Sequence, residues 1–169
     1  MRVIGLDPGS RVTGFGVIET DGNAFLHIES GNLRLPAADL SERLKIIFEE
    51  LTRIIERTRP DVMAVEKVFM AQNAQSALTL GQARGAALVA AAHQGVEVIE
   101  YSALQVKQAT VGRGKAAKQQ VQHMVRVLLG LPSVPATDTA DALACAICHC
   151  NTARGNARLR AGIAEGISS

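Results

Sequence analysis

The chain has 169 residues, of which 47% are hydrophobic and 20% charged, with a formal net charge of +2. That length suits one domain with a sizeable core, and the apolar content excludes general disorder. No apolar run approaches the roughly 18 residues a bilayer span needs, and Met1-Arg2 leads into a strand-like segment instead of a leader core, so a cytoplasmic location is expected.

The first third reads as three strands, VIGL ending at Asp7, TGFGVIET, and FLHIESGNLRL, divided by short Gly-containing turns. Links this short cannot carry parallel crossovers, so the three are expected to be antiparallel neighbours. Leu40, Leu44, Ile47, Phe48, Leu51, Ile54 and Ile55 recur at three- and four-residue spacing, which predicts an amphipathic helix capped by Asp39 or Ser41. Arg59-Pro60 ends it, and DVMAVE follows as a short buried strand finishing on Glu66. A loop with an outward-facing Phe69 precedes an Ala/Leu-rich helix from about Asn73 to His93, in which Gly81 and Gly85 permit close approach of another element. VEVIEY completes five strands. From Tyr101 the pattern is helical: SALQVKQATVG, a break at GRG, AAKQQVQHMVRVLLG, a Pro-rich connection, and a last helix opening with DTADALACAICHC. Residues 1–153 are expected to form one domain, and 154–169, with their Arg, Gly and Ser residues, a flexible tail.

Charge is unevenly spread. Residues 1–100 hold 10 Lys/Arg against 13 Asp/Glu, whereas 101–160 hold 8 Lys/Arg against Asp138 and Asp141 alone. The second half is therefore a candidate polyanion footprint, although ordinary surface solvation explains charge taken alone. Cys145, Cys148 and Cys150 crowd one helix in odd number, which argues against a disulfide framework. With His149 they make poor tetrahedral geometry, so packing thiols are preferred to a zinc site.

The element order predicts a mixed sheet with helices on its faces, an α/β architecture. Asp7 and Glu66 then end apolar strands that can be neighbours, where an uncompensated charge costs several kcal/mol in order of magnitude. Asp138 and Asp141, three apart, share one face near the positive end of a helix dipole, and taken alone the pair is better explained by helix capping, with Thr137 or Asp138 as the cap and Asp141 in the first turn. Local spacing leaves Asp7 open among a nucleotide-phosphate hairpin, a metal site and a plain turn. Four acids at otherwise apolar or small-residue positions favour a metal, and hard oxygen donors suit Mg²⁺ or Mn²⁺. Two such ions can activate a water and stabilise the leaving oxygen in phosphodiester hydrolysis.

LDPGSRVTGFGVI, VEKVFM with QSALTLGQARG after it, VKQATVG, and KQQVQHMVRVLLGLP followed by DTADALA resemble, in order, the motifs of the RuvC family of Holliday junction resolvases. The resemblance runs from the start of the chain to about Cys150. It implies a ribonuclease-H-like fold, a homodimer, and symmetrical nicking of four-way DNA junctions that depends on two Mg²⁺ per site, with Mn²⁺ able to substitute. Asp7, Glu66, Asp138 and Asp141 match the family's acidic metal-binding residues. Lys107 and Lys118 match its basic DNA-contacting positions, and Phe69 the aromatic that meets bases near the crossover. The branch-migration proteins RuvA and RuvB are implied partners.

General chemistry agrees with those roles, since a lysine near a scissile phosphate stabilises developing charge and an exposed Phe can stack on a base. The GRGK segment is too short and wrongly placed for a P-loop, but its Arg113 and Lys115 can meet DNA phosphates. Three other readings compete. An actin-like ATPase needs two domains where this chain has room for one. A YqgF-like RNA nuclease is disfavoured by the basic, glutamine-rich helix and the VEKVFM block. A non-catalytic junction-binding module leaves the full acidic set without a use.

Overall fold

The computed structural model describes residues 1–67 and 74–167, with side chains through 157. Five strands, β1 (Arg2–Asp7), β2 (Val12–Thr20), β3 (Phe25–Arg34), β4 (Val62–Glu66) and β5 (Glu97–Tyr101), form one sheet in the order β3-β2-β1-β4-β5. The β1–β2 and β2–β3 pairs are antiparallel, as their short links require, and β1–β4 and β4–β5 are parallel. The expected mixed five-stranded α/β sheet is therefore what forms.

Two helices cover one face. From α1 (Leu40–Thr58), Ile47, Leu51, Ile54 and Ile55 join Ile4, Leu6, Phe15, Val17, Met63 and Val65 of the sheet, together with Ala83, Ala87, Ala90 and Ala91 of α2 (Ala74–His93). Asp39 is the N-cap residue of α1, without a side-chain cap bond, and α1 stops at Arg59, whose φ of 47° is left-handed.

The other face is covered by α5 (Thr137–Ile167), with α3 (Ala103–Val111) and α4 (Lys118–Leu128) packed outside it. Between Ala140 and Cys148 only Asp141 of α5 escapes burial, which is why this stretch is apolar all round instead of amphipathic. Cys145, Cys148 and Cys150 are free and buried within that core, as packing thiols.

The capping reading of α5 needs correction. Its first hydrogen bond runs from the Ala140 N–H to the Ala136 carbonyl, so Thr137 and Asp138 lie inside the first turn and neither is the cap. The backbone of α5 is helical through Ile167.

Candidate active site

Side chains alternate across a strand, so β1 sends Ile4 and Leu6 to the α1/α2 face and Val3, Gly5 and Asp7 to the α5 face. In β4 the same alternation sends Val62, Ala64 and Glu66 to that face. Leu6 and Val65 are register partners in the parallel β1–β4 pair, and Asp7 and Glu66 are the next residue of each strand. Two carboxylates thus stand side by side at the carboxyl end of the central strands.

The acids of α5 reach them because the helix lies directly on the sheet. A Cβ added to Gly5 would overlap the Ala142 carbonyl oxygen, and one added to Gly14 would overlap the Asp138 carbonyl and lie 2.9 Å from the Thr139 nitrogen. Gly14 is also the register partner of Asp7. The missing side chains therefore bring the backbone of the acidic turn down beside Asp7. Sequence reasoning passed over these glycines; their shared parity with Asp7 along β1 and their recurrence at Gly14 and Gly16 were the available signal.

Asp7, Glu66 and Asp141 line a cleft of about 250 Å³ with Ala103, Val106, Lys107, Lys118 and Val121. Burial, then the charges of Asp141, Asp138 and Glu66, push the Asp7 carboxyl up to about 7 against the opposing pull of Lys118. Burial also raises Glu66, with Asp141 adding to it, and Lys107 and Lys118 pull it back. Asp141 is raised chiefly by burial and drawn down by Lys118. Asp138 does not line the cleft, but its field reaches Asp7 and Asp141. Among the described residues no three acidic, His or Cys side chains gather at chelating spacing, so the acids meet through their fields and not by contact. A cleft of hard oxygens whose charges raise one another is chemically suited to a hard divalent cation.

The basic positions divide. Lys107 on α3 and Lys118 at the start of α4 enter the cleft, whereas Arg113 and Lys115 are exposed on the loop between these helices, outside its lining. A capping box positions α3: the Gln105 N–H donates to Ser102 Oγ at 3.3 Å, and the Ser102 N–H to Gln105 Oε1 at 2.9 Å. Gly112, at φ 78°, ends that helix and turns the chain toward Lys118. Phe69 lies outside the described residues. His149 Nδ1 is 2.9 Å from the Tyr101 hydroxyl, which commits that nitrogen to β5 and away from the cysteines.

A family model described as crossover junction endodeoxyribonuclease RuvC matches residues 3–149. The chain belongs to the RuvC family of crossover junction endodeoxyribonucleases. A RuvC-family protein of that description from Pelobacter propionicus is 58% identical over 150 residues, 88% of this chain and 85% of its own length. One from Klebsiella pneumoniae is 54% identical over 157 residues, 93% of this chain and 91% of its own. Among solved structures, Thermus thermophilus RuvC in complex with Holliday junction substrate superposes with a TM-score of 0.88 at 38% identity, covering 92% of this chain and 96% of that one. The yeast mitochondrial Holliday junction resolvase Ydc2 shares the fold, with a TM-score of 0.64 at 12% identity over 90% of this chain and 80% of its own. The ribonuclease-H-like expectation holds. RuvC-family membership makes the reaction a phosphodiester hydrolysis in DNA and sets aside the ATPase and RNA-nuclease readings.

Proposed function

We propose that this chain resolves four-way DNA junctions by paired symmetrical nicks, using Mg²⁺ held by Asp7, Glu66, Asp138 and Asp141. The observation that carries this reading is the convergence of three half-buried acids and two lysines in one cleft, with the Asp7 carboxyl pushed up to about 7 by burial and then by its acidic neighbours. Mg²⁺, or Mn²⁺ in its place, supplies Lewis-acid polarisation of the scissile phosphate and lowers the pKa of the attacking water, most fully as a pair of ions. The chain's own residues do the rest. Glu66 and Asp7, fixed on adjacent strands, set the position of the hydrolytic centre against a rigid sheet. Lys118 and Lys107 neutralise the phosphate and the charge that grows on it as the 3′ oxygen departs, leaving a 5′ phosphate. Arg113 and Lys115 add phosphate contacts beyond the cleft, and Phe69 stacks on bases at the crossover.

Paired nicks need two sites, which a two-fold dimer supplies. Leu78, Gly81, Gly85 and Val89 share one side of α2; Leu78 and Val89 are each 57% exposed, and a Cβ on either glycine would meet nothing among the described residues. That outward stripe supports α2 as the dimer face. RuvA and RuvB are the partners the family resemblance implies.

The test compares cleavage of a four-way junction, a linear duplex and a structured RNA, each with Mg²⁺, with EDTA, and with ATP added. Paired nicks confined to the junction, dependent on Mg²⁺ and indifferent to ATP, are expected. Equal cutting of linear duplex, or cleavage that survives EDTA, contradicts the reading. Light scattering that finds a monomer at concentrations giving full paired nicking contradicts the dimer.

A further inference from the structure

Three strands meet the start of α5 in a single row. Asp7 of β1 pairs with Gly14 of β2, and Gly14 pairs with Asn32 of β3. The row thus runs from an acid, across a residue with no side chain, to an amide. The backbone of residues 138–139 rests on the middle of it, since a Cβ at Gly14 would overlap the Asp138 carbonyl. At the far end, Thr139 Oγ1 donates to Asn32 Oδ1 at 2.8 Å, across 107 residues of sequence.

The glycine contact and the hydrogen bond do different things. Gly14 fixes how closely α5 approaches the sheet, but backbone lying on bare backbone offers little resistance to sliding or to rotation about the helix axis. Leu143 over Gly16 and Ala142 over Gly5 continue the same small-residue contact further along. A directional bond from the helix to the sheet supplies what these contacts lack. Thr139 is 6% exposed, so its hydroxyl is shielded from competing water and has a fixed partner. Thr139 directly follows Asp138 and lies two residues before Asp141, so rotation of this turn moves both acids relative to Asp7.

We infer that Asn32 and Thr139 form a latch that sets the angular position of the acidic turn, making Asn32, which does not line the cleft, a positioning residue for the metal-binding acids. The inference rests on the reading that Asp138 and Asp141 face metal ions. Residues that orient ligands without touching the metal typically change metal affinity or activity by about 10–100-fold when removed. The latch acts one step further out, and its loss raises the Mg²⁺ requirement by about tenfold, the lower end of that range.

Thr139→Val keeps the shape and removes the donor. The Mg²⁺ concentration for half-maximal junction cleavage should rise about tenfold. The increase in Tm that Mg²⁺ produces without DNA should shrink in parallel, while junction binding in EDTA stays as in the parent. Thr139→Ser restores the hydroxyl and should restore the Mg²⁺ midpoint. Thr58→Val removes another buried hydroxyl, one that donates to the Ile54 carbonyl at 2.7 Å on the opposite side of the sheet, and should leave the midpoint alone. Asn32→Ala removes the acceptor from a half-buried strand position and decides the question if Thr139→Val fails to fold. An unchanged Mg²⁺ midpoint and Mg²⁺-induced Tm shift in the folded variant overturn the latch. A parent protein that shows neither Mg²⁺-dependent cleavage nor a Tm shift overturns the functional reading beneath it instead.

Discussion

On the α1/α2 face, the side chains of α1 do the packing: Ile47, Leu51, Ile54 and Ile55 reach across to Ile4, Leu6 and Met63, α2 adds alanines, and both helix backbones stand off from the central strands. On the α5 face the helix backbone touches the strands at Gly5 and Gly14, and the helix contributes mainly alanine and cysteine. A face built from interdigitating side chains tolerates repacking, because neighbours can shift to fill a gap. A face built from backbone on backbone has no such slack, and it is the one that carries the acids. The close approach gives Asp138 and Asp141 their nearness to Asp7, at the cost of a surface that admits no added atom.

Substituting one residue on each face separates the two. Leu51→Ala should cost about 2–5 kcal/mol through the cavity it leaves, with the folded protein still cleaving junctions at the parent rate. Gly5→Ala should cost about 1–3 kcal/mol or more through overpacking against Ala142, and its folded fraction should also lose Mg²⁺-dependent cleavage because the acidic turn is displaced. Chemical denaturation paired with cleavage per folded molecule reads both. Equal activity in the two variants would erase the distinction between the faces.

A second difference lies in pH. The folded-state pKa of Asp7 rises from 3.8 to about 7, so between those values the folded protein binds more protons than the unfolded chain. The stability from burying the neutral acid is complete below the lower value and is lost as pH rises through the upper one. A shift of this size corresponds to about 2–4 kcal/mol, shared among coupled acids. In EDTA, Asp7→Asn should remove much of the fall in stability between about pH 4 and 7. In the parent, cleavage at limiting Mg²⁺ should decline as pH drops below about 7, because protons compete for the same oxygens, and added Mg²⁺ should move the decline to lower pH. A pH profile insensitive to Mg²⁺ would show that the acids titrate independently of the metal.

The exposed surface of α1 supplies the smallest effect. Glu49 stands 3.9 Å from both Lys45 and Arg53, and Glu49→Ala should change stability by no more than about 0.5 kcal/mol, falling further as salt rises. A loss above 1 kcal/mol in denaturant titrations would mean that charge pairing matters more to this face than its apolar packing.

The same contrast decides what could be read from the sequence. The α1 helix announces itself by its 3.6-residue periodicity, and the hairpin strands by their short links. Asp7 and Glu66 were legible because each closes an apolar run, but the sequence offered their strands only as possible neighbours, and the parallel β1–β4 pair makes them so. The α5 helix was harder, since a helix buried on all sides shows no amphipathic pattern and its acids pass for capping residues. Its start is set by the Ala136 carbonyl, a backbone acceptor that no side-chain capping pattern marks in the sequence. The partnership of Asn32 with Thr139 has no local signature at all, since both are ordinary polar residues until the sheet register brings them together. Of the four basic residues singled out in the sequence, Lys107 and Lys118 line the cleft, whereas Arg113 and Lys115 stand outside it, a division that depends on how α3 and α4 pack and has no local signature.

Metal holding by Asp7 is tested most directly by one measurement: cleavage of a synthetic four-way junction by purified Asp7→Asn protein in Mg²⁺, beside its affinity for the same junction in EDTA. Unchanged affinity is expected, with cleavage reduced by about a thousandfold or more, a loss of about 4 kcal/mol or more of transition-state stabilisation. Asp7→Asn protein that resolves the junction near the parent rate would contradict it.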